Sequence, residues 1–127
     1  MKFHQDKSRA NTVSAWGPGE IRVREQVIRN SVILAAEHII HPWSGRHAET
    51  LTIADMAPAL DLAPAIIVLG TGARIEFPSA EFTGDMLARR IGLEVMDTPA
   101  ACRTYNILVH EGRNVVAALI IDELVTD

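Results

Sequence analysis

Residues 64–74 read PAIIVLGTGAR: Pro64, then an unbroken aliphatic run from Ile66 to Leu69, then Gly70 and Gly72 around a single threonine. A half-exposed strand would alternate apolar and polar side chains, whereas a continuous run is what a strand covered on both faces requires, and parallel sheets provide that setting. The chain after it repeats the theme. Pro78 and Ser79 introduce AEFTGDMLARR, in which Phe82, Met86 and Leu87, with Ile91 following, recur at helical spacing, and Gly92 is placed to close that helix in a left-handed cap. LEVMD (93–97) reads as the next strand. Thr98 reads as an N-cap with Pro99 at the first helical position, and the helix runs through Tyr105 and Leu108 to about Glu111 before Gly112 ends it. NVVAALIID (114–122) closes the series as a third apolar strand. Strand, helix, strand, helix, strand with right-handed crossovers makes a compact β-α-β-α-β unit.

Upstream of Pro64 the texture differs. Residues 1–12 are polar and read as a loose segment, and WGPG (16–19) supplies a turn before the first alternating stretch. EIRV, QVIRNSVILAA and EHIIHPW are rich in valine and isoleucine and read as a short antiparallel meander, which must add strands to the parallel unit or cover it. SGRHAE is a loop. In Thr52–Asp55 the threonine can cap a short helix that ends near 60–64, with the aspartate favourably placed in its first turn. The organisation expected is one α/β domain over 13–127.

Composition narrows the function classes. The 127 residues are 48% hydrophobic and 22% charged, enough apolar side chain for one core. The net charge of −4 and the scattered arginines leave no basic footprint for nucleic acid. A single cysteine, Cys102, cannot form an internal disulfide, which favours a reducing compartment. The N-terminal stretch lacks the apolar run of a secretory signal, and the longest apolar runs fall well short of the roughly twenty residues that span a bilayer as a helix. A cytoplasmic protein without membrane insertion is the expectation.

Three places invite a chemical role. In MDTPAACRTYN (96–106) the thiol of Cys102 stands in the first turns of a helix, where a thiolate is favoured. The same residue is also an ordinary small core side chain, on one helical face with Tyr105, Asn106 and Val109, while Arg103 points away. LGTGAR (69–74) frees the backbone at a strand end, as phosphate-binding turns do, but it lacks the third glycine of the dinucleotide fingerprint and the G-K-[ST] of a nucleotide loop. The ends of the three parallel strands, near Thr71, Asp97 and Asp122, should share one edge, where open α/β sheets have their crevice. A pocket there would draw on Gly70, Thr71, Gly72, Arg74, Asp97, Thr98, Cys102, Arg103 and Tyr105, with backbone donors and arginines suited to a small anion. His38, His41 and His47 suggest a metal, yet on a strand the first two point to opposite faces and no cysteine or carboxylate cluster completes a shell, so neither metal nor cofactor is expected. Glu81, Asp85, Arg89 and Arg90 read as a solvated helix face with an Asp85–Arg89 pair.

The motifs LGTG (69–72), FPS (77–79), MDT (96–98), ACRTYN (101–106) and EGR (111–113), in this order and spacing, with WGPGEI and SVIL upstream, resemble a family of uncharacterised bacterial and archaeal single-domain proteins. That family also includes a mitochondrial respiratory complex I assembly factor. The resemblance covers most of the chain. It implies a three-layer α/β fold with a mixed central sheet, no established catalytic residues, and binding to a protein partner. With no mitochondrial targeting extension in view, the chain looks like a bacterial cytoplasmic member, for which the scaffold and motif surface at 70–74 and 97–106 carry over while the task does not.

The expectation is therefore a non-enzymatic protein that binds a partner, such as respiratory-complex subunits, while a membrane-associated complex is assembled. The alternative, from a different class, is a small-molecule or anion-binding domain, or a thiol-dependent enzyme, using the crevice.

Overall fold

The computed structural model describes residues 9–123. Among these residues, eight strands form two sheets. β1 (Val13–Gly17), β2 (Glu20–Val23) and β3 (Gln26–Ile28) make a small antiparallel sheet; β4 (Val32–Ala35), β5 (His38–Ile40), β6 (Ile66–Gly70), β7 (Gly92–Met96) and β8 (Val115–Leu119) make the larger one. The spatial order of the larger sheet is β5-β4-β8-β6-β7, in which β6 pairs parallel with both β7 and β8 while β4 pairs antiparallel with β8 and β5. The central sheet is thus mixed, as expected. The upstream meander both extends the parallel unit, through β4 and β5, and covers it, through β1 to β3.

The apolar runs bury both faces. On β8, Val115, Ala117 and Leu119 enter one core with Tyr105, Cys102 and Val109 of α3 (Thr98–His110) and with Val13, Ile21, Val23 and Ile28 of the small sheet. Val116, Ala118 and Ile120 enter a second core with Met56, Ala59 of α1 (Ala57–Leu60) and Phe82, Met86 of α2 (Ala80–Ala88). The domain therefore has three layers: α3 and the small sheet, the five-stranded sheet, then α1 and α2.

Several local expectations are corrected. WGPG does not precede the first strand; it joins β1 to β2, with Gly19 at φ 74° in the turn. β1 is hard to see in sequence because only Val13 of its five residues is buried. Asp97, not Thr98, is the N-cap of α3: its carboxylate accepts from the Ala100 N–H at 2.8 Å, and Thr98 is already helical. Gly92 begins β7 rather than capping α2, and the left-handed residue after α2 is Arg90 at φ 61°. Among the described residues the ion pairs are Arg29–Glu20 and Arg113–Glu111, without the expected Asp85–Arg89 contact. Leu87 is 75% exposed, whereas Phe82 and Met86 are buried. Thr52 does cap: it forms a reciprocal box with Asp55 at a 3₁₀ turn (Ile53–Met56) that runs into α1. Gly112, at φ 76°, does end α3: its N–H reaches the Val109 carbonyl while Arg113 N–H reaches Leu108, a paired C-terminal cap. Residues 1–8 of the segment expected to be loose lie outside the described residues, and Asn11 is buried.

Candidate functional site

The sequence motifs meet at the carboxyl ends of the parallel strands, joined mainly by hydrogen bonds. Gly72 N–H donates to the Thr98 hydroxyl oxygen at 2.8 Å, and Thr98 N–H returns a bond to the Gly72 carbonyl at 2.8 Å. The same hydroxyl donates to the Ile120 carbonyl at 2.7 Å, so one buried side chain ties together the ends of β6, β8 and α3. Gly70 is required by proximity: a Cβ there would stand 2.9 Å from the Thr98 hydroxyl and 3.0 Å from the Ala101 side chain. Thr71 is buried, accepting from Glu76 N–H and donating to the Arg74 carbonyl, which shapes the 71–76 loop.

Beside this junction lies a cleft of about 420 Å³. Its walls are the β1–β2 hairpin from Trp16 to Ile21, the loop at Gly72 and Ala73, the first turn of α3 at Thr98 and Pro99, and the chain from Ile120 to Asp122. The surface is mostly apolar: an indole, two prolines and three isoleucines. Among the described residues, its ionisable groups are the carboxylates of Glu20 and Asp122. Glu20 pairs with Arg29 at 3.4 Å. Asp122 accepts from the Ala73 N–H at 2.8 Å, and its other oxygen lies over Gly72, where a Cβ would be only 2.6 Å away. A second, smaller cleft of about 250 Å³ shares Ile121 and Asp122 and is lined by Arg29, Arg46 and His47 among others.

The crevice expected from sequence is only partly assembled. Gly72 and Thr98 line the larger cleft. Gly70, Thr71 and Asp97 are not in its lining: Gly70 packs against Thr98 and Ala101, Thr71 shapes the 71–76 loop and Asp97 caps α3. Arg74 is exposed on the loop and absent from the lining. Arg103 is outside as well, its guanidinium 5.9 Å from the centroid of the Trp16 ring. Cys102 and Tyr105 face the core: both are fully buried, and the Tyr105 hydroxyl donates to the Asn11 carbonyl at 2.7 Å. Burial pushes the Cys102 thiol up to about 12 despite the opposing charge of Arg103, and burial raises the Tyr105 phenol as well. Cys102 is therefore a protonated core side chain at neutral pH.

Asn106 holds the cleft's outer wall, donating to the Val13 carbonyl at 2.8 Å and accepting from its N–H at 2.9 Å. The small sheet is thereby fixed to α3, which sets Trp16 opposite Pro99. Sequence reading missed the hairpin side of the site altogether. WGPG was visible as a turn, but nothing in its composition shows that the turn overhangs the ends of distant strands. The described residues contain no cluster of histidine, cysteine and acidic side chains able to hold a metal, and no helix long and apolar enough to cross a membrane.

Residues 13–120 match the model of a family described as a protein of unknown function (DUF498/DUF598). The chain belongs to this family. An uncharacterised protein of Rhodobacter capsulatus is 32% identical over 108 residues, covering 85% of this chain and 82% of that one. The human NADH dehydrogenase [ubiquinone] 1 alpha subcomplex assembly factor 3 is 51% identical over 55 residues, which is 43% of this chain but only 30% of that protein's length. A solution structure from Xanthomonas campestris, 37% identical, superposes with a TM-score of 0.85 over 100% of this chain and 97% of its own. The fold and family agree with the resemblance read from the motifs.

Proposed function

We propose that this protein is a non-enzymatic, cytoplasmic partner-binding domain whose larger cleft receives an apolar segment of another protein during assembly of a respiratory or other membrane-associated complex. The observation that carries this reading is the cleft itself: about 420 Å³ of largely apolar surface, opened on one side by Trp16, which is 37% exposed. Exposed apolar surface of this kind, walled by secondary structure and rimmed by polar groups, is characteristic of protein interaction sites. The loop that forms one wall also carries Ile75 and Phe77, 50% and 68% exposed, which extends the apolar character of this end of the molecule. The relation to an assembly factor supports the kind of task, and the 55-residue span of that match is why the task is a proposal.

Thiol catalysis is disfavoured by position, since Cys102 is on the core side of α3 and reaches the cleft nowhere. Affinity capture from detergent-solubilised cells of the native host tests the reading, with Trp16→Glu compared against wild type after both are shown to fold by circular dichroism. Enrichment of subunits of one membrane-associated complex by wild type, lost with Trp16→Glu, is the expected result. Equal capture by both proteins, or no such subunit in either, overturns it.

A further inference from the structure

The cleft is apolar along its length, yet it ends on a carboxylate that the fold holds still. Asp122 is exposed, but one oxygen is fixed by the Ala73 N–H at 2.8 Å and the other sits over Gly72, a residue at φ 100° whose missing Cβ leaves the space the carboxylate fills. A side chain immobilised in the free protein loses little rotamer freedom on binding. Glu20 also lines this cleft, but its charge is answered by Arg29 at 3.4 Å. From the neighbouring cleft Arg29, Arg46 and His47 face the same 121–122 segment, and none of them forms an ion pair with Asp122. Among the described residues, no basic side chain belongs to the larger cleft's lining. Among the described residues, the carboxylate of this lining that has no ion-pair partner is therefore Asp122, whereas Arg74 and Arg103, the arginines expected to suit a small anion, lie outside the lining.

Resting on the partner-binding reading above, we infer that the segment received by the cleft is an apolar stretch carrying one basic residue, whose ammonium or guanidinium meets the free oxygen of Asp122 while its apolar neighbours cover Trp16, Pro18 and Ile21. Trp16, Pro18 and Ile21 suit the apolar part of such a guest, and the Arg103 guanidinium, 5.9 Å from the centroid of the Trp16 ring, lies outside the cleft's lining. Charge complementarity at the end of an apolar groove sets register and excludes acidic competitors more than it adds raw affinity.

The probes are three acetylated, amidated nine-residue peptides of leucine, valine and alanine, alike except for a central lysine, methionine or glutamate, titrated against the full chain by isothermal titration calorimetry. The lysine peptide is expected to bind about fivefold tighter than the methionine peptide, the scale of a partly exposed ion pair, and the glutamate peptide weaker than both. Asp122→Asn keeps an oxygen to accept the Ala73 N–H while removing the charge, and should abolish the lysine preference without weakening the methionine peptide. Equal affinity for lysine and methionine, or a lysine preference that survives in Asp122→Asn, overturns the inference and leaves the cleft reading standing. Failure of all three peptides to bind contradicts the cleft reading as well.

Discussion

The Thr98 hydroxyl oxygen accepts from the Gly72 N–H at 2.8 Å, while Thr98 N–H donates to the Gly72 carbonyl at the same distance. With the third bond from the hydroxyl to the Ile120 carbonyl, this pair fixes how two strands and a helix end against one another. Thr98→Val keeps the shape but orphans the Gly72 N–H and the Ile120 carbonyl. The expected loss is about 2 kcal/mol in urea unfolding, with Thr98→Ser retaining most of the stability because it keeps the hydroxyl.

Gly72 has two reasons to be glycine, and they separate experimentally. Its φ of 100° strains any other residue, and a Cβ would press on Asp122. Gly72→Ala should cost about 1–3 kcal/mol. In a double-mutant cycle with Asp122→Ala, part of that loss should be recovered, since the second change removes the contact but not the backbone strain. Strict additivity would show that Asp122 is not held against the loop.

Asn106 makes two hydrogen bonds to the backbone of Val13 and is the polar link between α3 and the small sheet. Asn106→Ala should lower stability by about 2 kcal/mol. Amide exchange should accelerate in β1 and β2 well before the central strands β6 and β8, because the change loosens the outer layer only. Uniform acceleration across both sheets would contradict the layered description.

How much of this was legible without coordinates can be argued from particular residues. The strand runs IIVLG and VVAAL announce themselves because burial on both faces demands continuous apolar side chains, and that requirement is local. The ACRTYN helix was equally readable, down to the shared face of Cys102, Tyr105 and Val109. Its cap was misplaced by one residue because Asp97 and Thr98 are both good N-caps, and only the tertiary bond to Gly72 commits Thr98 elsewhere. The site was half legible. Gly70, Thr71, Gly72 and Thr98 lie together as strand-end geometry requires, but a helix turned so that Tyr105 and Cys102 meet the core cannot also offer them to a crevice on its other side. The wall from Trp16 to Ile21 depends on Asn106 binding Val13, a contact 93 residues apart that no local pattern encodes.

The buried thiol makes a prediction in alkali. The Cys102 thiol is raised from an ordinary 9.0 to about 12 in the folded protein by burial. A raised folded value means the native state holds its proton where the unfolded chain has lost it, so the stability it contributes is present in full below pH 9 and is lost as pH rises toward 12. Burial of the Tyr105 phenol acts in the same direction at higher pH. Urea midpoints should fall above pH 9, and Cys102→Ala should flatten the earlier part of that fall. A disulfide reagent at pH 8 should label Cys102 only after unfolding; rapid labelling of the native protein would revive the thiol as a reactive group.

The central claim is that the cleft beneath Trp16 is where a partner docks. Its most direct test is site-specific photo-crosslinking in living cells of the native host, with p-benzoylphenylalanine replacing Ala73 in the cleft wall or, as a control, Gly84 on the exposed side of α2. The account predicts that position 73 captures a subunit of a membrane-associated complex and that position 84 does not. Capture of the same proteins from both positions, or none from position 73, would contradict it.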